Sequence, residues 1–127
     1  MTEQSSVIVR DDGFHADDHS GPALTVAADT RPADLPRAFG DVGLIVVEFP
    51  VFSDGRGFTL GQMLRQLGYG GRLRARGNLI PDQYAMARRS GFDEVEISAE
   101  RAARQPEADW LRRADWRAHD YRSRVRA

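Results

Sequence analysis

The sequence contains neither cysteine nor lysine. The first absence removes disulfides, thiol nucleophiles, zinc–thiolate sites and cysteine-ligated iron–sulfur clusters. If the protein serves redox chemistry, another component carries the electrons, and no cofactor is expected on the chain itself. The second absence leaves arginine as the source of all eighteen basic residues. Guanidinium groups suit bidentate recognition of oxyanions. Biased codon usage accounts for most of them, and a functional role is reserved for arginines clustered near a loop. Long apolar runs are also missing: none approaches the roughly 20 residues that cross a bilayer. Met1-Thr2-Glu3-Gln4 lacks the basic and apolar regions of a signal peptide, so a cytoplasmic protein with no membrane partner is expected.

With 127 residues and 41% hydrophobic content, the chain suits one small domain with a single core. Its net charge of −1 is unevenly placed. Residues 1–54 hold three Arg against ten acids, and residues 55–127 hold fifteen Arg against nine. The two halves should attract.

Residues 1–38 read as a poorly ordered acidic segment, with Val7-Ile8-Val9 supplying at most a short edge strand. Asp11-Asp12-Gly13, Ser20-Gly21-Pro22 and the prolines at 32 and 36 interrupt any longer element. His15 and His19 have the spacing of a helical metal pair, but Asp17 and Asp18 between them, with Gly and Pro nearby, point to a solvated acidic loop and no metal site. A single α/β domain is expected over 39–121, followed by a basic tail at 122–127. A slightly acidic chain gives no footing for nucleic acid.

Within that domain the signals are local. Leu44 to Phe49 is a β-branched run between Gly43 and Pro50. Thr59-Leu60-Gly61-Gln62 matches a capping box and predicts a helix from Thr59 to about Leu67, with Gly68 as its left-handed cap. Arg72 to Arg76 predicts a second strand, and Pro81 opens a second helix that stops at Gly91. Asp93 to Ser98 predicts a third strand, and Pro106 a last helix carrying Trp110. The pattern is a small parallel βαβαβ core. Right-handed crossovers in one direction place the helices on one face of the sheet. Ile45, Val47, Phe49, Leu73, Ala75, Val95 and Ile97 can face them. The other face would hold Glu48, Arg72, Arg74, Arg76, Glu94 and Glu96, a half-barrel-like arrangement in which basic residues sit between acidic ones.

In open α/β sheets ligands bind beyond the carboxyl ends of the strands. The loops expected there supply Asp54, Gly55, Arg56, Arg76, Gly77, Asn78, Asp82 and Gln83. Arg74 lies one step back along its strand. Arginines beside helix amino ends suit a small oxyanion. Asp54 pairing with Arg56 is the equally weighted structural alternative, and Arg72 and Arg74 pairing with neighbouring glutamates is the favoured one. No nucleophile–base pair is visible.

The motifs Phe49-Pro50-Val51-Phe52-Ser53-Asp54-Gly55-Arg56-Gly57-Phe58, Gly71-Arg72-Leu73-Arg74-Ala75-Arg76-Gly77-Asn78, Asp82-Gln83 and Arg89-Ser90-Gly91-Phe92-Asp93 occur in order. Over residues 39–98 they resemble an uncharacterised family of bacterial proteins encoded beside sulfite reductase in assimilatory sulfur operons, often labelled oxidoreductase. Members often carry an acidic residue where this chain has Arg72. The resemblance implies an accessory role near sulfite reduction, with sulfite reductase or a small oxyanion as partner. Two other functions stand beside it: a small enzyme acting on an anionic metabolite with Asp54 or Asp82 as general base, and a structural half-barrel that forms a homo-oligomer through its open face.

Overall fold

The computed structural model describes residues 6–51 and 55–114. Four strands run parallel in sequential order: β3 (Ala23–Val26), β4 (Leu44–Phe49), β5 (Arg72–Gly77) and β6 (Glu94–Ser98). The expected βαβαβ core is present, with β5 between β4 and β6. The sheet as a whole is nevertheless mixed. β1 (Ser6–Arg10) pairs antiparallel with β6, and β2 (Gly13–His15) forms a hairpin with β1, giving the order β2-β1-β6-β5-β4-β3. Residues before Pro32, where one short edge strand was expected, thus supply three strands. Asp11 and Asp12 make the two-residue hairpin loop, and Gly13 follows at φ 123°.

The connections are α1 (Arg56–Gln66), a 3-10 turn at Pro81–Gln83 that runs into α2 (Tyr84–Arg89), then α3 (Ala99–Arg104) and α4 (Glu107–Leu111). One sheet face and these helices form a single core. Val9, Ile45, Val47, Phe49, Leu73, Ala75, Val95 and Ile97 pack with Leu60, Leu64, Tyr84, Ala87 and Trp110. The capping-box start at Thr59 is not used: α1 begins a turn earlier, with Gly55 at its N-cap. Gly57 and Gly61 explain the earlier start, because a Cβ at either would collide with the ring of Phe49 or Phe92. The bare backbone lets α1 lie directly on the end of β4. The helix expected from Pro106 is α4, and α3 ahead of it is an additional helix that the sequence reading did not expect. Ser98 caps α3 by accepting from the Arg101 amide at 3.1 Å, and Pro106 starts α4.

The second face of the sheet is the charged one, and the amino-terminal segment covers it. The chain leaves β2 at one edge and enters β3 at the other, five strand spacings away. At about 4.8 Å per spacing the crossing is roughly 24 Å. The step from His15 to Ala23 reaches at most roughly 28 Å when fully extended, so residues 16–22 form a taut strap. It carries Asp17 onto Arg74, whose Nη2 and Nη1 donate to the two carboxylate oxygens at 3.1 and 3.2 Å. Asp18 accepts from Arg10 and Arg72 at 2.8 and 3.0 Å.

Beneath the strap, Arg74 and Glu94 are each 2% exposed. Arg74 donates from Nε to Glu94 at 2.6 Å and from Nη1 to Glu96 at 3.0 Å. Desolvation works against its charge, but the bonds to Asp17 and Glu94 outweigh that and raise its pKa. The two halves of the chain do meet in ion pairs, among them those of this strap.

Candidate functional site

The carboxyl ends of β3, β4 and β5 border a cavity of about 520 Å³. Each strand contributes to it. β3 runs into Ala27, Ala28 and Asp29; β4 supplies Glu48, Phe49 and Pro50; β5 supplies Arg76, Gly77 and Asn78; and Arg56 reaches in from the first turn of α1. Arg76 and Glu48 are register partners on neighbouring strands. Arg76 Nη2 donates to Glu48 at 2.9 Å, with the two side chains 37% and 45% exposed. Asp29 has no ion pair or side-chain hydrogen bond among the described residues.

The local sequence makes this end rigid. Gly77 sits at φ 139°, and a Cβ there would collide with the Phe49 carbonyl oxygen. The end of β5 can therefore close onto the end of β4. The Asn78 amide donates to the Phe49 carbonyl at 3.1 Å, and Asn78 Nδ2 donates to the Pro50 carbonyl at 2.6 Å. Asn78 Oδ1 in turn accepts from Arg101 at 3.4 Å. Arg56 stands at the first position of α1, whose first turn holds no acidic residue. A guanidinium there adds its charge to the helix's positive end, which is unfavourable by itself and favourable toward an anion. Local rules broken in this way concentrate at functional sites.

Of the residues expected to form the site, Arg56, Arg76, Gly77 and Asn78 line this cavity, with Gly55 next to it as the N-cap of α1. Three others are elsewhere. Arg74 is buried under the strap. Asp82 accepts from Arg113 at 3.0 Å in a different cavity, and Gln83 accepts from the Ile80 amide at 3.0 Å as a cap. Asp82 and Gln83 lie in the 3-10 turn that follows β5, which packs with α2 and α4. Asp54 lies outside the described residues. Asp29 was missed in the sequence because Gly21-Pro22 and the later prolines hid β3. The alternation in Leu24-Thr25-Val26 was the one signal for it.

The remaining polar clusters are structural. His15 Nε2 lies 2.6 Å from Asp12 and His19 Nε2 lies 3.3 Å from the Pro22 carbonyl, so the two histidines do not converge. No group of three or more His, Cys, Asp or Glu is placed to hold a metal among the described residues. A second cavity of about 540 Å³ lies at the amino ends of β5 and β6. Its Arg65 is occupied in joining loops, donating to the carbonyls of Gly91, Tyr69 and Gly71 and to Asp93. Among the described residues no helix is long and apolar enough to cross a membrane.

Compared with known families, the chain matches over residues 23–127 the family described as "Bacterial protein of unknown function (DUF934)". No curated protein and no solved structure matches it. The cavity at the carboxyl ends lies wholly inside the matched residues, whereas β1, β2 and the acidic strap precede them.

Proposed function

The chain belongs to the DUF934 family of bacterial proteins of unknown function, and we propose that it is a binding protein whose working site is the cavity beyond β3, β4 and β5. It takes an oxyanion there and serves as an accessory to assimilatory sulfite reduction. The observation that carries the binding role is the convergence of Arg56, Arg76, Gly77 and Asn78, from the end of β5 and the first turn of α1, on a single cavity. The sulfur context rests on the ordered motifs from Phe49 to Asp93 and on the resemblance they carry. Sulfite reductase is the proposed protein partner, and co-purification with a siroheme-dependent reductase tests that part.

Titration calorimetry with sulfite, sulfate and phosphate tests the site. A charge-assisted hydrogen bond contributes about 1.5–3 kcal/mol, so Arg56→Ala or Arg76→Ala should weaken anion binding roughly 10- to 150-fold. Folding of the Arg76→Ala protein should suffer little, because the pair of Arg76 with Glu48 is half-exposed and such pairs contribute about 0–1 kcal/mol. Normal binding with a lowered melting temperature would assign the arginines to structure.

The catalytic alternative loses Asp82 to its pair with Arg113. The carboxylates that do line the cavity are Asp29 and Glu48. The dimerising half-barrel needs an open sheet face, and the strap of residues 16–22 occupies the middle of that face over Arg74.

A further inference from the structure

We propose that the outer edge of β3 is a self-association surface, where a second copy of this chain adds its own β3 antiparallel about a twofold axis. The inference goes beyond the anion site and does not depend on it. A sheet edge presents unpaired amide and carbonyl groups that template another strand unless something blunts them. The edges of this sheet are β2 and β3. β2 is three residues long, and Glu107 of α4 accepts from its Phe14 amide at 2.8 Å. β3 has no comparable cover among the described residues: Ala23, Leu24 and Thr25 are exposed, Leu24 at 36%. Residues 20–28 also carry no charge that would repel an incoming strand.

The ladder decides which backbone groups are free. The carbonyls of Gly43 and Phe49 accept from the Arg72 and Asn78 amides, so the odd-numbered residues of β4 turn toward β5 and the even-numbered ones toward β3. Leu44, Val46 and Glu48 therefore bond to Leu24 and Val26, their diagonal neighbours in the parallel register, and Ala23 and Thr25 point their N–H and C=O outward. Two outward residues separated by one fit an antiparallel copy centred on Leu24. Ala23 of each copy pairs with Thr25 of the other, each pair exchanging two bonds, and the two Leu24 side chains meet across the axis. Leu24 shares the helix side of β3 with buried Val26, so this contact covers its exposed apolar surface. A second copy is favoured over a foreign strand because the segment complements itself, as a twofold contact requires. The uncharged stretches oppose no like charges, and beyond the strand ends Asp29 of each copy comes beside His19 of the other, an acid against a base.

Sedimentation equilibrium on the full chain, from micromolar to millimolar concentration, tests the assignment. Two pairs of two bonds and a pair of leucines make a small contact, so a dimer at the weak end of specific association is expected. Amide exchange on the same samples should show Ala23 and Thr25 gaining protection as the dimer forms, with Leu24 and Val26 unchanged. Thr25→Pro removes an outward amide and no bond to β4, a position where edge strands tolerate proline. It should raise the dissociation constant about tenfold or more while leaving the melting temperature of dilute protein unchanged. Leu24→Glu, which sets two carboxylates face to face across the axis, should weaken the dimer in the same way. A chain that stays monomeric throughout, or a dimer that leaves both amides unprotected or survives both substitutions, would overturn the inference. So would assemblies growing past the dimer, which a closed twofold contact forbids.

Discussion

Glu94→Gln is the sharpest test of how the charged face holds together. Glu94 is 2% exposed and stands between two arginines: Oε1 accepts from Arg10 Nε at 2.9 Å and Oε2 from Arg74 Nε at 2.6 Å. Arg72 Nε stands a little farther off, at 3.9 Å. A glutamine of the same shape has one oxygen for one arginine and turns an amide donor toward the other, so a buried donor faces a buried donor. It also leaves the cationic cluster one negative charge short.

Removing one partner from a buried pair costs about 3–5 kcal/mol, most of it from the charge left behind. For a chain of 127 residues, each kcal/mol moves the melting point by roughly 3–5 °C. The variant should therefore melt roughly 10–20 °C lower by circular dichroism. Glu48→Gln makes the same chemical change at a half-exposed pair and should lower the melting point by no more than about 4 °C. The double change Arg74→Met with Glu94→Leu should recover part of the loss, since neither buried charge is left uncompensated. A Glu94→Gln protein melting within about 3 °C of the parent, or a double variant worse than the sum of the singles, would refute the account of a buried ion-pair network as what locks the strap side of the sheet.

Three further outcomes follow from the same geometry. Asp18 is pulled down to about 2 by its bonds to Arg10 and Arg72, and Asp17 is lowered by Arg74. Both carboxylates then stabilise the fold above their unfolded pKa near 4, and that contribution is lost as pH falls from about 4 to about 2; the protection of amides in residues 16–22, taken relative to the intrinsic exchange rate at each pH, should fall in that window, and unchanged protection across it would count against the strap. Gly77→Ala should destabilise by more than about 2 kcal/mol in urea and abolish ligand binding, since φ 139° and the Phe49 carbonyl both oppose a side chain there; a variant that folds and binds normally would contradict the close strand ends. Trp110→Ala should cost about 3–5 kcal/mol, because the indole is buried, donates to the Gln105 carbonyl at 3.0 Å and meets Tyr84 edge-on at 6.3 Å; a loss under about 1 kcal/mol would mean that α4 is peripheral.

The parallel core and half of the candidate site were legible from residues near one another in the chain. Gly43, Pro50, Gly68, Pro81 and Gly91 mark element ends by backbone conformation alone, and alternation along 72–76 and 94–97 separates a dry face from a charged one. The rule that ligands bind beyond strand carboxyl ends then selects Arg56, Arg76, Gly77 and Asn78. What only the tertiary structure decided depends on partners far apart in sequence. β1 is a strand because β6 pairs with it. β3 is one because β4 does. Asp17 reads as a solvated loop residue until Arg74, 57 positions on, donates to it, and Arg10 meets Glu94 across 84. Even the start of α1 was decided this way: a capping hydroxyl at Thr59 acts through a bond to a nearby amide, but the rings of Phe49 and Phe58, packed at 4.9 Å, favour helix from Arg56 onward. Local signals specify where an element can form, whereas burial against a distant surface decides where it does.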